Sequence, residues 1–234
     1  MIIGRGLLAQ AFESLYLNSH DVLIFASGVS NSMCIDPLEF EREKKMIEDA
    51  LSSHPLAKFI YFSTTSIFDG DLQSSPYVLH KKEIEKLLLS ENQKSRTLIF
   101  RLPIVAGKTA NKHTLLNFLV NKIVTGESFK VFANAYRNIL GIDDLVKICS
   151  IIIESKAPKG NAFNVCNPVA IKMTDLIPVL EEVIGKKAIF ELVQKGGGNL
   201  QIDLHEINPF LKLAGLTFDS QYLPRTLKKY YAIQ

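Results

Sequence analysis

Four short stretches of the sequence carry residue types that could do chemistry. Tyr77-Val78-Leu79-His80-Lys81 sets a phenol and an ammonium four residues apart, which puts both on one face of a helix. A cation beside a phenol favours the phenolate, so the pair could move a proton near neutral pH. Taken alone, the same spacing also fits a solvated helix face. Gly4-Arg5-Gly6-Leu7-Leu8-Ala9 has the form G-x-G-x-x-A. Its first glycine permits a tight turn, its second lets a pyrophosphate approach the backbone, and small Ala9 lets a helix pack closely on the preceding strand. The helix N-terminus that follows adds N–H donors; a plain tight turn is the alternative. Ser63-Thr64-Thr65-Ser66 offers hydroxyls to an oxygen that gains or loses a proton, or caps a turn. Ser27-Gly28 either lets a ligand pass close to backbone or simply ends a strand.

These residues need elements to hold them. Met1-Ile2-Ile3 is a short apolar run ending at Gly4, and the apolar residues of 7–17 recur at helical spacing. Continuous apolar runs at 21–26, 58–63 and 97–104 fit strands covered by helices on both faces. Asp36 and Pro37 open an amphipathic helix to about Ser52, and Pro76 starts one running to Leu89. The first hundred residues therefore alternate strand and helix, which predicts a doubly wound parallel sheet with right-handed crossovers. Past Gly107 the texture changes. Helices are expected at 113–124, 142–154 and 173–184, strands at 129–132, 161–165 and 190–193, and short helices at 207–214 and 223–231. A flexible loop is expected at Gly196-Gly197-Gly198.

Composition excludes several classes. The 234 residues are 47% hydrophobic and 22% charged, with a formal charge of +3, as in an ordinary globular protein. The basic residues are scattered, without the stripe a nucleic-acid partner needs. No apolar run approaches the ~20 residues of a membrane span, and no signal peptide is visible, so a cytoplasmic location is the expectation. Cys34, Cys149 and Cys166 are odd in number and lack a C-x-x-C pair, which points to buried free thiols. His20, His54, His113 and His205 have no metal-like spacing, so no metal is expected. His80 falls off the Tyr77–Lys81 face and reads as surface.

Together the motifs resemble the extended short-chain dehydrogenase/reductases, specifically the NAD-dependent epimerase/dehydratase family that modifies nucleotide-activated sugars. Gly4 to Ala9 resembles its cofactor turn. Phe62-Ser63-Thr64-Thr65-Ser66-Ile67-Phe68-Asp69-Gly70 is similar to the strand and loop carrying the catalytic hydroxyl, most closely in the dTDP-4-dehydrorhamnose reductase version. Arg101-Leu102-Pro103 resembles the segment beside the nicotinamide. Arg137-Asn138-Ile139-Leu140-Gly141-Ile142-Asp143-Asp144-Leu145 resembles the family's R-x-x-x-x-V-x-D-L stretch, and Phe163-Asn164-Val165-Cys166-Asn167 the F-N-[IV]-G strand of its C-terminal region.

The resemblance implies roles. Thr64, Tyr77 and Lys81 would be catalytic, with Lys81 lowering the Tyr77 pKa and holding the nicotinamide ribose. Gly4, Arg5, Gly6, Leu7, Leu8, Ser27, Gly28, Tyr77, Lys81 and Pro103 would hold NAD or NADP, and Arg137 the substrate phosphates. Arg5 would face a 2′-phosphate or solvent. The chain departs from the family in a short span from Thr64 to Tyr77 and, more seriously, after its glycine turn. Too few residues separate Gly6 from the strand at 21–26 for the two strands that members normally place there, the first of which ends in the residue that reads the adenosine ribose. The expected fold is thus α/β: a shortened Rossmann-like doubly wound parallel sheet over 1–107 and a small substrate lobe over 108–234, some of whose segments return to the core. The expected function is NAD(P)-dependent reduction, epimerisation or dehydration of a nucleotide-diphosphate sugar, with keto-sugar reduction preferred. The rival is a non-catalytic relative kept as a ligand-binding or scaffold protein. A homodimer would use the helices near 37–52 and 76–90.

Overall fold

Each early apolar run forms a parallel strand, and helices cover both faces because successive side chains on every strand are apolar. The computed structural model describes residues 1–90, 93–112, 114–155, 160–197 and 201–232; His113 and Gly198 lie outside them. The first part of the chain runs β1 (Ile2–Ile3), α1 (Leu7–Tyr16), β2 (Val22–Phe25), α2 (Pro37–Ser53), β3 (Lys58–Thr64), α3 (Pro76–Leu88) and β4 (Thr97–Leu102). Two 3-10 turns, Thr65–Phe68 and Gly70–Leu72, bridge β3 to α3. Then come β5 (Ile104–Ala106), α4 (Leu115–Thr125), β6 (Phe129–Phe132), β7 (Tyr136–Arg137), β8 (Ile139–Gly141) and α5 (Ile142–Glu154). The chain continues through β9 (Ala162–Asn164), β10 (Ile171–Lys172), α6 (Met173–Ile184), β11 (Phe190–Val193), α7 (Asn208–Leu213) and α8 (Tyr222–Tyr231).

The central sheet has the order β1-β2-β3-β4-β9 and is parallel throughout. Alternate residues of its strands serve two cores. Ile24, Ile60, Phe62 and Phe100 pack with Phe12 of α1 and Ile148 and Ile152 of α5. Leu23, Phe25, Phe59 and Tyr61 pack with Ile47 and Leu51 of α2 and Ile84 and Leu88 of α3. A third core joins α4, β6, α6 and α8 through Leu119, Val131, Ile177 and Leu227. Three two-stranded pairs, β5 with β8, β6 with β11 and β7 with β10, complete the later part.

The expected run of right-handed crossovers needs correcting. The steps β1→β2, β2→β3 and β3→β4 all proceed in one direction across the sheet, yet α1 lies on one face and α2 and α3 on the other. The first crossover is therefore opposite in hand to the next two. A right-handed connection is the strong rule. The exception follows from the shortened chain: α1 stays on the face set by the glycine turn, while only a five-residue connection leads to β2 beside β1. Among the described residues β1 pairs on one side only.

Candidate active-site cleft

Parallel register brings the ends of β2, β3 and β4 to one edge, where open α/β sheets bind ligands. Phe25 pairs with Tyr61, and Thr64 with Leu102. Beyond them lies a cleft of about 920 Å³. Its walls include Arg5, Gly6, Leu7 and Leu8 of the glycine turn, Ser27 and Gly28 after β2, Thr64, Tyr77, Lys81, Pro103 and Arg137. Every candidate residue but Gly4 therefore faces one space, although they come from six separate segments.

Gly4 instead makes the turn. Its φ is +136°, and a Cβ there would stand 2.5 Å from the Ala26 carbonyl oxygen, so no other residue fits. At Gly6, the N-cap of α1, an added Cβ would meet nothing within 4 Å. The turn is thus open where a pyrophosphate would approach. Ala9 is fully buried against the sheet, as close helix packing requires. This cradle fits a dinucleotide phosphate.

Tyr77 and Lys81 lie on the buried face of α3, which Pro76 opens at its first turn. The Thr64 hydroxyl accepts a hydrogen bond from the Ser66 N–H at 3.1 Å, capping the first 3-10 turn. The neighbouring hydroxyls are engaged elsewhere: Ser63 donates to Glu85 at 2.6 Å and Thr65 to the Leu102 carbonyl at 3.3 Å. Burial pushes the Tyr77 phenol up to about 12; a hydrogen bond with Thr64 works against this and the charge of Glu43 adds to it.

Two expectations are corrected here. Lys81 does not lower the proton affinity of Tyr77 in this structure. Its Nζ lies 2.8 Å from Glu43 Oε1 and 2.9 Å from the Tyr61 hydroxyl, and 5.8 Å from the centre of the Tyr77 ring. Glu43 is the counter-charge of the ammonium. His80 is not at the surface either. It is 6% exposed, stacks on Phe40 at 4.6 Å, and holds Glu43 Oε2 at 3.0 Å through Nε2.

Glu43 was missed in the sequence, where it sits in the charged run Glu39 to Lys45. The signal was its place in the apolar stripe of α2, with Ile47, Ala50 and Leu51 at helical spacing. Gly28 passes directly above it: a Cβ there would stand 2.8 Å from Glu43 Oε1 and 3.0 Å from Lys81 Nζ.

At the far end, Arg137 on β7 donates to the Tyr136 carbonyl at 2.7 Å. Burial lowers the proton affinity of its guanidinium, and the charge of Asp69 opposes this. Asp69 is the one carboxylate among the described residues lining the cleft, against Arg5, Arg42, Lys81, Lys112 and Arg137. The cleft is electropositive and suits an anion. Among the described residues no three His, Cys, Asp or Glu side chains gather into a metal-holding group, and no helix is long and apolar enough to cross a membrane.

Residues 43–166, more than half of the chain, match the NAD dependent epimerase/dehydratase family. No curated protein matches the sequence significantly. Solved structures share the fold. The UDP-glucuronic acid 4-epimerase from Bacillus cereus, in complex with UDP-glucuronic acid and NAD, superposes with a TM-score of 0.71 over 96% of this chain and 77% of its own, at 19% identity. UDP-glucose 4-epimerase of Thermus thermophilus with NAD gives 0.71 over 96% and 80%, at 15% identity. The dTDP-glucose 4,6-dehydratase of Bacillus anthracis with NAD gives 0.69 over 90% and 71%, at 13% identity. At these identities the likeness is one of architecture.

Proposed function

The chain belongs to the NAD dependent epimerase/dehydratase family, and on that premise we propose that it binds a nicotinamide dinucleotide and reduces a keto group on a nucleotide-diphosphate sugar. The observation that carries this is the convergence of Thr64, Tyr77 and Lys81 on the same cleft as the glycine turn. Residues 1–107 would serve the cofactor, and 108–234 mainly the sugar nucleotide.

The backbone at Gly6 and the N-terminus of α1 bind the pyrophosphate. Leu7, Leu8 and Pro103 give apolar contact, and Ser27 and Gly28 line the backbone approach. An ammonium has three N–H donors. Glu43 and Tyr61 take two from Lys81, and the third serves the nicotinamide ribose. Thr64 and Tyr77 hold the sugar oxygen. Hydride exchange with the sugar carbon is the chemistry the nicotinamide supplies when bound. Tyr77 delivers the proton from Oη to the oxygen that becomes a hydroxyl. The phenol is protonated at neutral pH in the free protein and so is available to donate; the preference for reduction rests on the resemblance of Phe62 to Gly70 to the keto-sugar reductase segment. Arg137 pairs with the substrate diphosphate.

The adenosine end favours NADP over NAD. Arg5 and Arg42 line the cleft near the glycine turn and Ser27, Arg42 donating to the Ser27 carbonyl at 3.3 Å. A ribose 2′-phosphate would meet these cations, of which Arg42 also pairs with Glu39 at 3.1 Å, while the one carboxylate among the described residues lining the cleft, Asp69, acts on Arg137. Titration calorimetry with NAD⁺, NADH, NADP⁺ and NADPH, followed by a hydride-transfer screen of keto sugar nucleotides, tests the whole reading. Tight binding of NADPH with turnover sustains it. A folded protein that binds none of the four is instead a non-catalytic relative.

A further inference from the structure

The buried cluster beneath Gly28 is the feature that proton transfer at Tyr77 leaves unexplained. Lys81 is 1% exposed and Glu43 fully buried. Both carboxylate oxygens of Glu43 are saturated. Oε1 takes Lys81 Nζ at 2.8 Å and the Tyr61 hydroxyl at 2.7 Å; Oε2 takes the Val29 N–H at 2.7 Å and His80 Nε2 at 3.0 Å. Four partners from three segments, the turn after β2, β3 and α3, thus lock one side chain, whose main cargo is a single ammonium.

We propose that Glu43 is a positioning residue: it keeps Lys81 charged inside the protein and aims its remaining N–H at the cleft. This deepens the functional reading and rests on it for the role of Lys81. An ammonium walled by the rings of Tyr61 and Tyr77, 5.0 and 5.8 Å away, has lost its water, and a buried lysine without a counter-charge sheds its proton. The charged groups facing it are few. From α2 come Glu43 and Arg42, from α3 His80 and Glu85, and from β3 the Tyr61 hydroxyl. Glu85 is held by Arg101 at 2.6 Å and so spends its charge elsewhere, while Arg42 repels Lys81. Burial lowers the proton affinity of Lys81, and Glu43 is the largest influence against it. The geometry leaves Lys81 dependent on one carboxylate.

The test is Glu43→Gln, which keeps the shape and removes the charge. With nitrogen-15 lysine, the Lys81 Nζ resonance, assigned by its loss in Lys81→Met, should stay ammonium-like in the native protein between about pH 5 and 9 and titrate inside that window in Glu43→Gln. Turnover by the variant should fall as pH rises through the same titration and recover on acidification, which a merely structural defect would not do. Identical Lys81 titrations in the two proteins overturn the proposal. If Glu43→Gln does not fold, the neutral pair Glu43→Gln/Lys81→Met should, because the unpaired buried charge is the obstacle; failure of the double variant too leaves Glu43 only a structural role and overturns the proposal. A native protein with no turnover defeats the functional reading, while the Lys81 titration still decides this one.

Discussion

The Ala26 carbonyl oxygen occupies the space a Cβ on Gly4 would need, 2.5 Å away. The turn after β1 is therefore pressed against the end of β2. Gly4→Ala combines a left-side φ with a backbone clash and should cost about 1–3 kcal/mol of stability. Gly6→Ala meets nothing and should unfold like the native protein, but it should weaken dinucleotide binding by crowding the pyrophosphate. Urea unfolding and calorimetric titration separate the two effects. Unaltered affinity in Gly6→Ala would remove the turn from the cofactor site.

Tyr77→Phe should leave dinucleotide binding intact and lower the rate by about 10²–10⁴-fold, the usual share of a positioned proton donor. With its folded value at about 12, Tyr77 is protonated through neutral and mildly alkaline pH. Reduction should therefore show no alkaline limb from this residue until the pH nears that value. A limb near pH 8 in the native protein that Tyr77→Phe abolishes would mean that cofactor or substrate binding lowers the phenol far more than the free protein suggests.

Acid should loosen the Glu43 cluster first. Burial alone would raise the Glu43 carboxyl, but the Lys81 charge and hydrogen bonds from His80, Lys81 and Tyr61 hold it well below the usual carboxylate range. Its folded value lies below its unfolded one, near 4.3. The stability it contributes is thus fully present above about pH 4.3 and is lost as pH falls toward the folded value. Denaturant unfolding should show native stability falling across that window. In Glu43→Gln the slope should be shallower, and equal slopes would contradict the expected pairing.

Arg137→Ala should raise KM for the sugar nucleotide by about 10–100-fold with a smaller effect on kcat, since a charge-assisted contact contributes roughly 1.5–3 kcal/mol. Steady-state kinetics check this. A loss confined to kcat would place Arg137 at the reacting carbon instead.

Thiol chemistry offers a direct check on the packing. Cys149 and Cys166 are buried, and burial pushes the Cys166 thiol up to about 12. Cys34 is half-buried in the segment before α2. A disulfide reagent should label Cys34 in the native protein and all three cysteines after unfolding. Rapid native labelling of Cys166 would contradict the closed core around β9.

Local signals carried much of this molecule in the sequence. Continuous apolar strands, Pro37 and Pro76 at helix starts and glycine at the end of α6 are short-range physics, and they set the alternation of strand and helix. The glycine turn and the Tyr77–Lys81 spacing were legible for the same reason: their logic needs only a few neighbouring residues. Three things were decided by tertiary structure alone. The hand of the first crossover depends on which face α1 covers once β2 lies beside β1, and no local pattern records a face. The short strands β5, β7, β8 and β10 exist because distant segments pair, as Arg137 does with Ile171. The state of Lys81 depends on Glu43, a residue 38 positions away. In the sequence that carboxylate sits among charges; in the fold it enters an apolar stripe, where low dielectric and four hydrogen-bond partners make its single charge count for more than the spacing of Tyr77 and Lys81.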